Sequence, residues 1–345
     1  MYNALSRQEV KNVIEGKGAA SRVPVMLQFW TPAQNFGDRT EQVRELIGKF
    51  PQDVQTIHVS LPDIFEGAKS DPNYRWMNTD EPEGFNDLAI DERIALSDWE
   101  QLDAVLADFP DPEFADMYPN PPESDGRYRL GSFWFCFFER HWMLRGMTNA
   151  LTDYYFFPDE VHKLFRALTD FYKRLIARGK IEANLDGIFT SDDIGTQTGP
   201  FFSREIFEEF FKPYYAELIQ AAHENDMHFW LHTCGKIDAY IPDFCEIGLD
   251  VLHPIQKYTM EEADIAKRFG DKICLWAGFD VQQVIPWQTP EDVRNEVHFM
   301  MDTYFRKDGR FMFTAGNGLT PDCTLESMRA LYEEAYGYGE IIANR

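Results

Sequence analysis

From Asp186 to the C-terminus the chain alternates short apolar runs with longer amphipathic stretches, and this rhythm narrows its possible folds sharply. The runs are Gly187-Ile188-Phe189-Thr190, Met227 to Leu231, Val251-Leu252, Ile273 to Ala277 and Phe311 to Thr314. Runs of this length separated by helical segments are the pattern of parallel strands covered on both faces. Five of them in order predict a (β/α) barrel. Upstream, Val25-Met26-Leu27-Gln28-Phe29 and Thr56-Ile57-His58-Val59 read as the first two barrel strands, which makes seven candidates.

Between Phe65 and Arg129 the rhythm fails. The stretch is rich in Asp, Glu, Pro and aromatics, as in Asp108-Phe109-Pro110-Asp111-Pro112 and Tyr118-Pro119-Asn120-Pro121-Pro122. We expect an insertion or lid at about 65–130, after the second strand, on a single domain spanning residues 1–345. An excursion of that length is either functional or disordered, and its aromatic content argues for packing over the barrel mouth. Thr289-Pro290-Glu291-Asp292 offers an N-cap, a proline at the first helical position and acids at the positive end of the helix dipole. Ser6 to Glu9 and Thr259 to Glu262 are capping-box patterns.

A chain of 345 residues is long enough for two average domains or one large barrel, so the periodicity decides between them. Lys plus Arg number 33 against 58 Asp plus Glu, a formal charge of −25. Such a surface repels phosphate backbones and anionic lipid, so neither nucleic acid nor membrane is an expected partner. The N-terminus lacks a basic segment followed by an apolar run, and no stretch is long enough to span a bilayer, which predicts a cytoplasmic protein. Five cysteines, an odd count, fit a reducing compartment better than a disulfide framework. Any special cysteine is then a ligand or a nucleophile.

In a parallel barrel the strand ends converge on the C-terminal face, where catalytic residues sit. Reading the run ends collects Gln28, Asp192 and Asp193, His232 and Cys234, His253, Asp280, and Asn317 with Cys323 close behind. His232-Thr233-Cys234-Gly235 carries the most chemistry. An imidazole and two thiols, from His232, Cys234 and Cys323, are three of the four ligands that zinc takes, and three protein ligands leave a position open for reaction. The bland alternative is a satisfied histidine beside a cysteine acting as a small hydrophobe. Placement at a strand end before Gly235 favours the ligand reading. Cys245, Cys274 and Cys136 read as core residues.

Asp192 and Asp193 precede a glycine turn, where a carboxylate either caps backbone amides or carries a proton in the site. The two readings are nearly even. Glu139 is open between a fourth metal ligand and an ion pair with a basic neighbour, and the ion pair is favoured. Gln28 or Asn317 would orient a substrate. The aromatics around Trp30 and Trp276 would line an apolar pocket or simply fill the core.

Asp192 to Gly195, Ser203 to Pro213, His232 to Gly235 and the Cys323 loop occur in an order that resembles the uroporphyrinogen decarboxylase-like superfamily. The likeness is to its zinc-containing methyltransferase branch, which includes the methylcobamide:coenzyme M methyltransferases. It covers roughly Phe133 to the C-terminus and is poor from Phe65 to Arg129. The resemblance implies a (β/α)8 TIM barrel with Zn²⁺ on His232, Cys234 and Cys323. It also implies methyl transfer between a small donor or thiol acceptor, such as a methoxy compound undergoing O-demethylation, and a corrinoid. That corrinoid would be free cobalamin or sit on a corrinoid protein. Decarboxylases of the superfamily carry an arginine-rich segment after the first strand, whereas Phe29-Trp30-Thr31-Pro32-Ala33-Gln34 has none. Two rivals are a metal-independent lyase that uses Asp192 or Asp193 on a protonated pyrrole, and a tetrapyrrole- or corrinoid-binding protein whose zinc is structural.

Overall fold

A computed structural model describes residues 2–345. Seven strands form one parallel sheet in the order β1 to β7: β1 Val54–His58, β2 Tyr128–Ser132, β3 Gly187–Ser191, β4 His228–His232, β5 Val251–His253, β6 Cys274–Phe279 and β7 Phe311–Ala315. β3 to β7 are buried at every position, as strands covered on both faces must be. Helices connect them, among them Pro158–Ala183 before β3 and Lys212–Glu224 before β4.

The sheet curls, and the segment at Val25 spans the gap between its edges. Val25 forms a parallel bridge to Phe313. Met26 donates to the Phe313 carbonyl at 3.1 Å, and Asp53, just before β1, donates to the Val25 carbonyl at 3.4 Å. The architecture is TIM-barrel-like. Its interior is packed with rings: Trp276 lies 5.3 Å from both Phe189 and Trp230. Function is therefore confined to the rim, where the strands end.

Three expectations need correction. The predicted first strand, 25–29, is reduced to the bridge at Val25, because the chain turns into a short 3-10 segment at Gln28–Trp30. A strand not anticipated, β2, lies at Tyr128–Ser132, overlapping the end of the expected insertion and pairing with β1 and β3. The capping boxes at Ser6 and Thr289 are present, with the carboxylates of Glu9 and Asp292 closing them. At Thr259 there is none: its hydroxyl donates to the Gln256 carbonyl at 2.8 Å, and the helix begins after Glu261 with no side-chain cap.

The connection between β1 and β2 carries a short helix, Leu102–Ala107, and is well packed. Trp76, Phe85, Trp99 and Phe114 within it are all buried. Tyr74 stacks on Phe114 with centroids 3.7 Å apart.

Candidate metal centre

β3 and β4 run in register with Ser191 opposite His232, so the residues after each strand leave the sheet side by side. The backbone ties them: Asp192 donates to the His232 carbonyl at 2.9 Å, and Cys234 donates to Asp193 Oδ1 at 2.7 Å. Gly235 has φ +89°, and a Cβ there would land on the Gly195 carbonyl carbon. Only glycine permits this approach.

These constraints bring Asp193, His232 and Cys234 together, with their ligand atoms all within 4.8 Å of one another. His232 Nε2 is 3.3 Å from Cys234 Sγ and 3.5 Å from Asp193 Oδ1. Tetrahedral zinc with bonds of about 2.0–2.3 Å separates its ligand atoms by roughly 3.3–3.8 Å, so these donors are spaced for the ion.

The orientation of His232 follows from its neighbours. His253, at the end of β5, places Nε2 3.1 Å from the Ala315 carbonyl, which can only accept. His253 therefore donates from Nε2 and, if neutral, keeps a lone pair on Nδ1. That lone pair faces His232 Nδ1 at 2.6 Å, so His232 donates there and its own lone pair sits on Nε2, toward Cys234 and Asp193. Burial lowers the pKa of both imidazoles, His253 furthest, which holds them neutral. This is the second-sphere arrangement that fixes metal-binding histidines. Trp30 stacks flat on His253, centroids 4.9 Å apart and planes 5° apart, and Trp134 stands edge-on to His232 at 5.7 Å.

Burial, with help from the charges of Asp193 and Glu139, pushes the Cys234 thiol up. A divalent cation reverses this and takes the sulfur as thiolate. Beside Cys234 lies a small cavity of about 50 Å³, bordered by Gln256, Phe279, Gly316 and Asn317, which gives the sulfur an open side.

The other predicted site residues fall into different places. The acidic pair splits. Asp192 is fully buried and accepts hydrogen bonds from the amides of Phe137, Phe138 and Glu139 and from the Tyr215 hydroxyl at 2.6–3.1 Å. It caps the helix Phe138–Arg145. Burial still pushes its carboxyl up to about 6, against those bonds. Asn317 Nδ2 is 3.9 Å from Cys234 Sγ. Gln28 turns away, with Nε2 donating to the carbonyls of Ile47, at 2.8 Å, and Phe50.

Cys323 is buried in the turn after β7, outside the three-residue group. Its amide donates to the Thr320 carbonyl, and its own carbonyl accepts from Arg39. Asp280 is occupied by the amides of Gln282 and Gln283 and by the Tyr258 hydroxyl.

Glu139 departs from the favoured ion pair: among the described residues it has no basic partner within 4.0 Å, and Ser191 Oγ donates to it at 2.6 Å. Burial first, then the charges of Asp193 and Asp192, raise its pKa well above the usual carboxylate range. Sequence reasoning collected His253 with the strand-end residues but gave it no specific role, and it passed over Trp134 as a site residue. The signal for His253 was its place at the end of β5, beside the strand that ends in His232.

The profile of the uroporphyrinogen decarboxylase (URO-D) family matches residues 124–338, more than half of the chain. The uroporphyrinogen decarboxylase of Ruthia magnifica subsp. Calyptogena magnifica is 22% identical over 187 residues, 53% of this chain and 51% of that protein. That of Vesicomyosocius okutanii subsp. Calyptogena okutanii (strain HA) is 24% identical over 184 residues, covering 51% and 48%. The chain spans about half the length of these curated relatives. A methyltransferase from Methanosarcina mazei superimposes with a TM-score of 0.60 over 96% of this chain and 98% of its own, at 13% identity, which speaks to the fold alone. Among the described residues, no helix is long and apolar enough to cross a membrane. The fold is consistent with the profile, and the profile shows it: the chain belongs to the uroporphyrinogen decarboxylase family.

Proposed function

We propose that this protein is a zinc-dependent methyltransferase that moves a methyl group between a small donor or thiol acceptor and a corrinoid, either free cobalamin or one carried by a partner protein. The observation that carries the reading is the convergence of the His232 Nε2 lone pair, Cys234 Sγ and the Asp193 carboxylate at the C-terminal ends of β3 and β4. Zinc bound there would supply Lewis-acid activation of the thiol or ether heteroatom that gains or loses the methyl.

The chain's own groups divide the remaining work. His232 is held neutral and aimed by His253. Cys234, next to the Asp193 carboxylate, would hold the metal as a thiolate. Asn317, exposed and close to Cys234, orients the incoming group. Trp30 and Trp134 keep water from the imidazoles. The third ligand is Cys323, as the family resemblance implies, or Asp193, which already stands 3.5 Å from His232.

Elemental analysis of the purified protein tests this, with H232A, C234A, C323A and D193N alongside. We expect about one zinc per chain, lost in H232A and C234A together with methyl transfer from methylcobalamin to a thiol, followed by the cobalamin spectrum. Loss in C323A with retention in D193N selects the thiol as third ligand, and the reverse selects the carboxylate. Full methyl transfer by zinc-free protein would sink the proposal. A metal-free protein that releases CO₂ from a porphyrinogen would favour the decarboxylase reading instead.

A further inference from the structure

Between the ends of β1 and β2 lies a second cavity, about 260 Å³ in volume, whose lining includes His58, Ser132, Trp134, Phe135, Arg140 and Met143. Arg140 is only 3% exposed. Its guanidinium is 4.7 Å from the centre of the Trp76 ring and 5.7 Å from that of Phe135. Rings satisfy the face of a guanidinium but leave its in-plane N–H groups needing acceptors. Among the described residues, the one acceptor within hydrogen-bond distance is the weak Met143 thioether, 3.9 Å from Nη1; the Tyr172 hydroxyl is near enough to feel the guanidinium but already donates to the Phe135 and Cys136 carbonyls, and Nε is buried with no partner. No carboxylate comes within 4.0 Å of it.

This is exceptional among the described arginines that are themselves buried. Buried Arg22 is paired with Asp53, buried Arg145 with Asp153, and buried Arg129 with Gln55 and the Ala183 carbonyl. The chain holds 58 acids to 33 bases, so acidic partners are not scarce. Asp63 also borders the cavity, but its Oδ1 is turned to the amides of Phe65 and Glu66 at 3.4–3.5 Å. A buried, unpaired cation is costly, and its planar donor edge matches a carboxylate.

We propose that Arg140 is an anion-binding residue that seats the carboxylate of a small aromatic acid in this cavity. The walls supply the rings of Phe133, Trp134 and Phe135. The volume falls slightly below the roughly 300–1,000 Å³ usual for small-molecule pockets, which suits a single substituted ring and excludes a tetrapyrrole. Trp134 belongs to both sites: it lines this cavity and stands edge-on to His232. An acid anchored on Arg140 is thereby directed toward the metal centre. That this acid is the methyl-transfer substrate rests on the reading above, whereas the carboxylate subsite itself does not.

The test is binding of benzoate, with benzamide as its neutral counterpart, to the wild-type protein and to R140Q, R140K and C234A, by calorimetry or ligand-observed NMR. Wild-type protein is expected to prefer benzoate, and R140Q to lose at least about tenfold in benzoate affinity with benzamide unchanged. R140K, which keeps the charge and loses the fork, should fall between them and provides the reading if R140Q does not fold. C234A should bind benzoate as the wild type does, which separates this subsite from carboxylate capture by zinc. Equal affinity of wild-type protein for benzoate and benzamide, or unchanged benzoate binding in R140Q, would overturn the proposal. Loss of benzoate binding in C234A would also overturn it, by assigning the carboxylate to the metal.

Discussion

At the scale of single residues, the site depends on atoms outside the proposed ligand set. Gly235 is the clearest case, since its positive φ and its contact with Gly195 bring the loop that carries Cys234 against the loop that carries Asp193. We predict that G235A destabilises the fold by about 2 kcal/mol or more and lowers zinc content even though every ligand remains, as urea unfolding and elemental analysis would show. His232, Cys234 and Asp193 were readable from their positions at strand ends. The functions of Asp192 and Asp193 were not, because adjacent residues on an irregular loop face opposite ways and no periodicity says which. Asp192 proved to be the cap of the helix Phe138–Arg145, and Asp193 the member facing the histidine. Cys323 shows the opposite difficulty: its residue type suits a ligand, while its place in the turn after β7 keeps it outside the group.

At the scale of elements, two helices that flank the β2 side of the barrel mouth are locked together by charge. Asp153, on the helix Met147–Phe156, accepts from Arg145 Nε at 2.9 Å and His141 Nε2 at 3.1 Å, both on the preceding helix. Burial pushes this carboxyl up, but the bonds from His141 and Arg145 outweigh it and hold it down, at about 2. Its folded pKa lies below the unfolded value near 3.8, so its stabilisation is complete above about pH 5 and lost as pH falls through 4 to 2. A loss of about 2 kcal/mol is expected over that window. D153N should be less stable at pH 7 and converge on the wild type near pH 2, as urea midpoints across pH would reveal.

The later strands were legible because their apolar runs are unbroken. β2 was not: Tyr128-Arg129-Leu130-Gly131-Ser132 has a charge and a glycine in its middle. Both have structural causes. The Arg129 amide donates to Asp186 Oδ2 at 3.0 Å while its side chain reaches Ala183 and Gln55, and a Cβ on Gly131 would strike Leu185.

At the scale of the whole molecule, the barrel is joined at its seam by one carboxylate. Asp53 accepts from the amides of Leu5 and Val25, both at 2.8 Å, and from both terminal nitrogens of Arg22 at 2.5–2.6 Å. It thereby fastens the N-terminal segment to the start of β1. D53A leaves the Arg22 charge buried and unpaired, and should cost about 3–5 kcal/mol, measurable in denaturant unfolding.

The Gly195 contact with Gly235 has a wider consequence. No methyl group fits between those two loops, so Asp193 and Cys234 are held against each other as one jaw, and remodelling that side of the mouth would disturb the three donors proposed to hold the metal. The opposite jaw is built from the ends of β1 and β2, with Trp76 from their long connection stacked against Arg140. Its residues lie outside the three-donor group, though Trp134 stands against His232. New ligand preferences would thus arise on the β1–β2 jaw, while the proposed metal chemistry would stay with β3 and β4.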